Sequence, residues 1–132
     1  MLRPLLILCT LAANFAYAED VFTYRIAPEC IVDIEIVENA NIYPPEKRKY
    51  QINIRLEDSE GEKFEKFTRE IIGSKLEITN GFGESLNFPS SKVVTEIGST
   101  FRLSPYATLL KSEEAVKILK VKGGRCGRDR SS

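Results

Sequence analysis

Residues 50–73, YQINIRLEDSEGEKFEKFTREIIG, place a strand directly before a helix. At the start of this stretch apolar side chains alternate with polar ones. A period of two is typical of a strand with one buried face. The apolar face of the predicted strand consists of Tyr50, Ile52, Ile54 and Leu56.

The apolar period then changes to that of a helix. Ser59 and Glu62 fit the capping box S-x-x-E, in which a hydroxyl and a carboxylate satisfy the first free amides of a helix. Gly73 stands where a left-handed cap favours glycine, and it predicts the helix end. Between these signals, one apolar stripe is formed by Phe64, Phe67, Thr68, Ile71 and Ile72.

Further strands are predicted on both sides of this unit. Alternation and β-branched residues indicate strands at 21–27, 31–37, 75–79, 84–88 and 92–103, with a turn at 80–83. Ser112 is expected to cap a last helix, from Glu113 to about Lys120. No repeat or domain boundary follows residue 18. We therefore predict a single α+β domain, a small antiparallel sheet covered by two helices.

The first 18 residues are predicted to be a secretory signal peptide. Arg3 supplies a positive charge, a predominantly apolar run follows, and Ala16-Tyr17-Ala18 fits the A-x-A cleavage site. The run is shorter than the roughly 20 apolar residues of a transmembrane helix. We expect a mature chain from Glu19 to Ser132, periplasmic or secreted, without a transmembrane segment.

The sequence contains no histidine. This excludes a Ser-His-Asp triad, a Cys-His pair and an HExxH zinc site, and it removes the commonest general base. Without Arg3, eighteen basic residues stand against nineteen acidic ones, so no overall charge attracts nucleic acid. We predict a non-catalytic protein that uses no metal and no cofactor and binds no nucleic acid.

The cysteine count predicts one disulfide bond. Cys9 lies in the signal peptide, so the mature chain holds only Cys30 and Cys126. In an oxidising compartment two lone cysteines most simply pair with each other. A reactive or metal-binding pair is the alternative, but it lacks CxxC spacing and a histidine partner.

Residues 50–122 carry motifs whose order resembles a known family. The motifs are Ile52–Leu56 followed by Gly61, Phe64–Thr68, Ile72–Ile78, Ser85–Pro89 followed by Ile97, Gly98 and Phe101, and Ser112–Ala115. This order is similar to that of the periplasmic head domain of SecD and SecDF, accessory membrane components of bacterial protein export. The resemblance implies that residues 19–124 form a standalone copy of such a head.

The same resemblance limits the function that carries over. In the family, the head is inserted in a larger periplasmic base and fixed to transmembrane helices that use the proton gradient. Neither is found after residue 18 here, so energy-coupled export is not implied. Because the family's head contacts emerging protein chains, the resemblance implies at most a polypeptide-binding surface.

Two aromatic residues are candidates for that surface. Phe82 lies at the tip of a predicted hairpin, where an exposed ring can anchor an interface; the alternative is that it folds back over the sheet. Tyr106 lies in the connection before the last helix. The basic tail, residues 125–132, is predicted to be solvated.

We therefore expect an exported module that binds a protein or peptide through a sheet edge or face. The alternative is a small secreted inhibitor of a hydrolase, a lysozyme or a protease, or an immunity-type protein. Such an inhibitor would also be single-domain, disulfide-bonded and free of histidine.

Overall fold

The structure, a computed structural model, describes residues 20–39, 41 and 43–129. The predicted signal peptide, residues 1–18, lies outside the described residues. The described chain forms strands β1 (Val21–Ile26), β2 (Ile31–Glu38), β3 (Tyr50–Leu56), β4 (Lys75–Asn80), β5 (Ser91–Lys92), β6 (Thr100–Tyr106) and β7 (Gly127–Arg128), and helices α1 (Asp58–Glu70) and α2 (Leu109–Leu119). The predicted α+β class is confirmed.

The strands form two sheets and not the single layer that we predicted. One sheet has the order β5-β4-β1-β7 and the other the order β2-β3-β6. All neighbours are antiparallel except β1 and β4, which run parallel. A parallel pair needs a long crossover, and here the chain between its strands contains β2, β3 and α1. Both helices contact both sheets.

One aromatic cluster joins the two sheets through helix α1. Tyr24 of β1 packs against Phe64 and Phe67 of α1, with ring centroids 4.8 and 5.2 Å apart. Phe64 in turn lies 4.9 Å from Phe101 of β6. Tyr24, Phe64 and Phe67 are buried, whereas Ile72 of the predicted stripe is exposed. Aromatic pairs at these spacings add to the stabilisation that burial itself provides.

The helix caps differ from the predicted ones. Helix α1 begins at Asp58, and Glu57 occupies the N-cap without a side-chain hydrogen bond, so the Ser59–Glu62 box does not form. Helix α2 begins at Leu109, where the Thr108 hydroxyl accepts a 3.2 Å hydrogen bond from the amide of Lys111. Ser112 is not a cap but a buried residue inside α2.

The long segment between β4 and β6 is mostly irregular. Of the strand predicted at 84–88, only an isolated bridge between Thr79 and Ser85 forms. Near the end of the segment, the Thr68 hydroxyl of α1 accepts a 2.8 Å hydrogen bond from the amide of Ile97. It also lies 3.3 Å from the carbonyl oxygen of the same residue. The nearer acceptor for the hydroxyl proton is the carbonyl of Glu65, at 3.0 Å. A helix side chain thus satisfies the amide of Ile97, which no strand of the described chain pairs.

Residues 125–129, which we assigned to a solvated basic tail, belong to the folded domain. The amide of Arg125 donates a 2.9 Å hydrogen bond to the carbonyl of Gly81, and β7 pairs with β1. Asp129 forms a salt bridge of 3.2 Å with Arg25 of β1. Arg130, Ser131 and Ser132 lie outside the described residues.

A disulfide joins Cys30 and Cys126, the pair that the cysteine count predicts, across a sequence separation of 96. Cys30 is buried at the end of the short 3₁₀ turn Pro28–Cys30 that follows β1. In the described part of the chain, no helix has the length and apolar run needed to cross a membrane.

Replacing both cysteines by serine is expected to lower the free energy of unfolding by roughly 4–5 kcal/mol. The reason is that the cross-link closes a loop of 96 residues and so restricts the unfolded chain. Urea denaturation of the two proteins measures the difference. Reduction of the unmodified protein by a dithiol serves as the control and should give the same loss. A loss below about 1 kcal/mol would contradict this stabilising role of the cross-link.

Candidate functional site

The turn after β4 presents Phe82 from a framework built by one buried amide. The Oδ1 atom of Asn80 accepts hydrogen bonds from the amides of Phe82, at 3.0 Å, and Glu84, at 2.9 Å. Its Nδ2 atom donates to the Glu84 carboxylate at 2.9 Å and to the carbonyl of Ile118 in α2 at 3.1 Å. Asn80 is completely buried. Because both ends of this amide are used, its hydrogen bonds stabilise the turn in the observed conformation.

The C-terminal segment forms a wall behind the Phe82 ring. Gly123 has a φ of 99°, and a Cβ atom on it would lie 2.9 Å from Cζ of Phe82. A side chain on Gly124 would overlap the backbone of Gly81. Only glycines allow the two segments to approach this closely. The ring therefore has support on one side, and half of its surface, 50%, stays exposed.

A guanidinium group lies beside this aromatic turn. A Cβ on Gly83 would lie 3.1 Å from Nη2 of Arg25, so that side chain lies against the backbone of the turn. Arg25 bonds Asp129 through both Nε and Nη2, each at 3.2 Å. The carboxylate orients the guanidinium and offsets its charge. The turn thus presents an apolar ring next to a polar, oriented neighbour, which is a common composition for a protein contact.

The second predicted candidate, Tyr106, is in the core. It is only 3% exposed, and its ring packs against Phe88 with centroids 5.2 Å apart. Its hydroxyl has no hydrogen-bond partner among the described residues. The ring therefore offers no surface for a partner. Burial raises the pKa of this phenol to about 12, because the charged form would lose its hydration.

One partly open pocket among the described residues has a mainly apolar lining. It has a volume of about 110 Å³ and lies between β4, β6 and the segment that joins them. Among the described residues that line it, Arg102 is the ionisable one. General acid–base chemistry needs a positioned proton donor and acceptor, and this lining provides no such pair.

One group of side chains has the composition of a metal site. Sγ of Cys30, Sγ of Cys126 and a carboxylate oxygen of Glu60 all lie within 4.8 Å of one another. Both sulfurs are joined in the disulfide, however, and a metal takes a cysteine as the thiolate. Glu60 lies 3.4 Å from the hydroxyl of Tyr24, which donates to it. With both sulfurs in the disulfide, we do not expect the carboxylate of Glu60 and the hydroxyl of Tyr24 to bind a metal.

Comparison with known proteins gives no assignment. No protein-family model, no curated protein and no solved structure matches the chain. The motif order that resembles SecD and SecDF heads stays a prediction.

The sequence indicated the turn but not the residue that builds it. Asn-Gly after a strand predicts a turn at residues 80–83, and the structure has one there. An asparagine at the start of a turn can bond the amide two residues on, which is the available signal for Asn80. Its bond to Ile118 could not be read from local spacing, because it depends on where α2 packs.

Replacing Asn80 by alanine is expected to lower the free energy of unfolding by about 2–3 kcal/mol, because the amides of Phe82 and Glu84 and the carbonyl of Ile118 lose a fully buried partner. It should also speed hydrogen exchange at the amides of Phe82 and Glu84. Exchange rates measured by NMR test this, with the exposed Asn39→Ala as the matched control. Unchanged protection at both amides would contradict the proposed framework.

Replacing Tyr106 by phenylalanine is expected to raise the free energy of unfolding by about 1 kcal/mol, because it removes a buried hydroxyl without a partner. The variant should also lose less stability in alkali. The folded-state pKa lies above the ordinary value of 10.0, so the unfolded chain ionises first. The contribution of the neutral Tyr106 phenol to the free energy of unfolding is therefore complete below pH 10. It is lost as the pH rises towards about 12.

Urea denaturation at neutral and alkaline pH measures both effects of Tyr106→Phe. Equal alkaline losses in the variant and the unmodified protein would show that Tyr106 does not cause the decline. Tyr24 remains as a second buried phenol whose pKa is also raised, by burial and then by Glu60. The decline should therefore become smaller in the variant and not disappear.

Proposed function

We propose that this protein is an exported, non-catalytic module that binds a protein or peptide, with Phe82 as its anchor. The observation that carries the proposal is the construction of the turn. A fully buried asparagine with four hydrogen bonds and two closely packed glycines hold a half-exposed aromatic ring at a turn tip. The hydrogen bonds of Asn80 and the glycine packing do not themselves require an exposed aromatic ring at the turn.

The energetics of association favour such an anchor. An interface depends on a few residues, and aromatic side chains are enriched among them. Binding normally costs free energy to order loops and side chains. In this turn that ordering already exists before a partner arrives, so more of the free energy of ring burial is available for affinity.

Export is supported by two features of the chain. The charge, apolar run and A-x-A site of residues 1–18 are those of a secretory signal. The Cys30–Cys126 disulfide suits an oxidising compartment. From the motif order alone, we also propose that residues 50–122 are related to the SecD and SecDF head domain.

A second candidate function is inhibition of a secreted hydrolase. The observation that favours it is the same rigid turn, because a single aromatic side chain on a preorganised turn can enter the cleft of a lysozyme or a protease. Both candidates require Phe82 at the contact. They differ in the partner, which is a polypeptide ligand in one and a folded enzyme in the other.

Phe82→Ser is expected to reduce partner capture at least ten-fold while leaving the fold intact. The measurement is crosslinking of the purified protein in the secreted and envelope fraction of its source, followed by quantification of each adduct. Ile72→Ser is the matched control, because Ile72 has the same exposure of 50% on another part of the surface. It should capture the partner as well as the unmodified protein does.

The outcomes separate the alternatives. Equal adducts with Phe82→Ser would overturn the anchor, and equal losses with both variants would show a nonspecific apolar contact. A loss of melting temperature with Phe82→Ser as large as that of a core substitution would mean that the ring stabilises the fold instead. Assays against a panel of lysozymes and proteases identify the inhibitor function, if the unmodified protein inhibits one enzyme and Phe82→Ser does not.

A further inference from the structure

Strand β2 has an open edge. It is the terminal strand of the order β2-β3-β6, and within residues 20–39, 41 and 43–129 no segment pairs with its outer side. The other edges are less suitable for strand pairing. β5 and β7 have two residues each, and β6 contains Pro105, which has no N–H to donate. β2, with eight residues, is long enough to accept another strand.

The hydrogen-bond phase of β2 shows which backbone groups are available. The amide of Asn39 donates to the carbonyl of Lys49 at 2.9 Å, which places this pair in the hydrogen-bonded phase. Alternation along the register then directs the backbone of Asp33, Glu35 and Val37 towards β3. The N–H and C=O groups of Ile34 and Ile36 consequently point away from the sheet. These four backbone groups can form the hydrogen bonds of a strand added at this edge.

The polar face of this sheet ends in carboxylates at the open edge. The register aligns Arg102, Asn53 and Glu35 in one row across the three strands. It aligns Thr100, Arg55 and Asp33 in the next row. In both rows the position beyond the edge lies next to an acidic side chain. Cross-strand neighbours of opposite charge stabilise a pair and like charges destabilise it.

This charge pattern selects against a second copy of the chain. In the antiparallel register of two β2 strands that is centred on Ile34, Asp33 of each copy would face Glu35 of the other. Both carboxylates are exposed, and no basic side chain stands between them on β2. The edge is therefore protected from self-association and is complementary to a basic strand.

The opposite face of the edge is apolar. Ile34 and Ile36 are partly buried there against the core. At the start of β2 an open groove of about 270 Å³ is lined by Pro28, Ile31, Val32, Asp33, Ile34 and Lys120. Val32 is 53% exposed. Apolar side chains of an added strand would cover the apolar part of this groove, Ile31, Val32 and Ile34, while its cations lie on the polar face beside Asp33.

We propose that the edge of β2 binds an extended polypeptide segment in which cationic and apolar residues alternate. This inference rests on the proposed polypeptide-binding function and names the segment that the module takes. The segment adds as a fourth strand, with main-chain hydrogen bonds to Ile34 and Ile36 and its cations beside Asp33 and Glu35. The Phe82 turn lies at the same end of the molecule, since Gly81 packs on Ala27, next to Pro28. A longer partner can contact both.

A labelled peptide of alternating lysine and valine tests the proposal by fluorescence anisotropy with the full protein. The double variant Asp33→Lys/Glu35→Lys should weaken its binding at least ten-fold, and it should bind a glutamate–valine peptide instead. The matched control is Glu113→Lys/Glu114→Lys, which makes the same charge change at exposed positions of α2 and should leave binding unchanged. Equal weakening by both double variants would show a general charge effect and would overturn the proposal.

A second peptide tests strand addition without any change to the protein. Methylation of alternate backbone nitrogens removes the N–H groups on one edge of the peptide and keeps its charge and composition. One of the two methylated phases should bind at least ten-fold more weakly than the other. Equal binding of both phases would overturn strand addition.

Phe82→Ser distinguishes this inference from the proposed anchor. The short lysine–valine peptide should bind this variant as it binds the unmodified protein, because its contacts lie on β2. In one outcome, Phe82→Ser still captures the natural partner and the β2 double variant no longer binds the peptide. This outcome would reject the anchor and support the edge site. In the opposite outcome, Phe82→Ser loses the partner and the β2 double variant still binds the peptide. This outcome would support the anchor and reject the edge site.

Discussion

The bond between Cys30 and Cys126 is the constraint on which both candidate surfaces depend. It holds the C-terminal segment against the turn after β4, so Gly123 and Gly124 form the wall behind Phe82. It also fixes the chain between β1 and β2, where the carbonyl of Cys30 accepts a 2.9 Å hydrogen bond from the amide of Glu57. The anchor and the start of the open edge are thus held by one covalent link.

Local patterns predicted the elements well where one physical signal dominates. The alternation of residues 50–56 matches β3 at both ends, because Ile52, Ile54 and Leu56 of this central strand are buried by its neighbours. The predicted helix caps were less accurate, because several residues near each helix start could act as the cap. The parallel pairing of β1 with β4 was not visible, since it depends on how α1 packs between distant segments.

The two aromatic candidates show why side-chain positions are harder to predict than elements. Simple alternation along β6 from the buried Leu103 would turn Tyr106 outward. The register of β3 with β6 shifts between Tyr50 and Ile52, so Leu103 and Tyr106 both point inward. For Phe82 the turn could be predicted, but its exposure depends on the glycines of a segment about 40 residues away in sequence.

The position of β1 in its sheet has a consequence for how the chain is made. β1 is the first strand of the described chain, and its neighbours are β4 and β7, the last strand. Such distant pairing cannot form until most of the sequence is present. Under the export that we propose, the chain would cross a membrane unfolded, and this order would be an advantage. The sheet that pairs β1 with β7 would then close only after Cys126 had reached the compartment in which it can be oxidised.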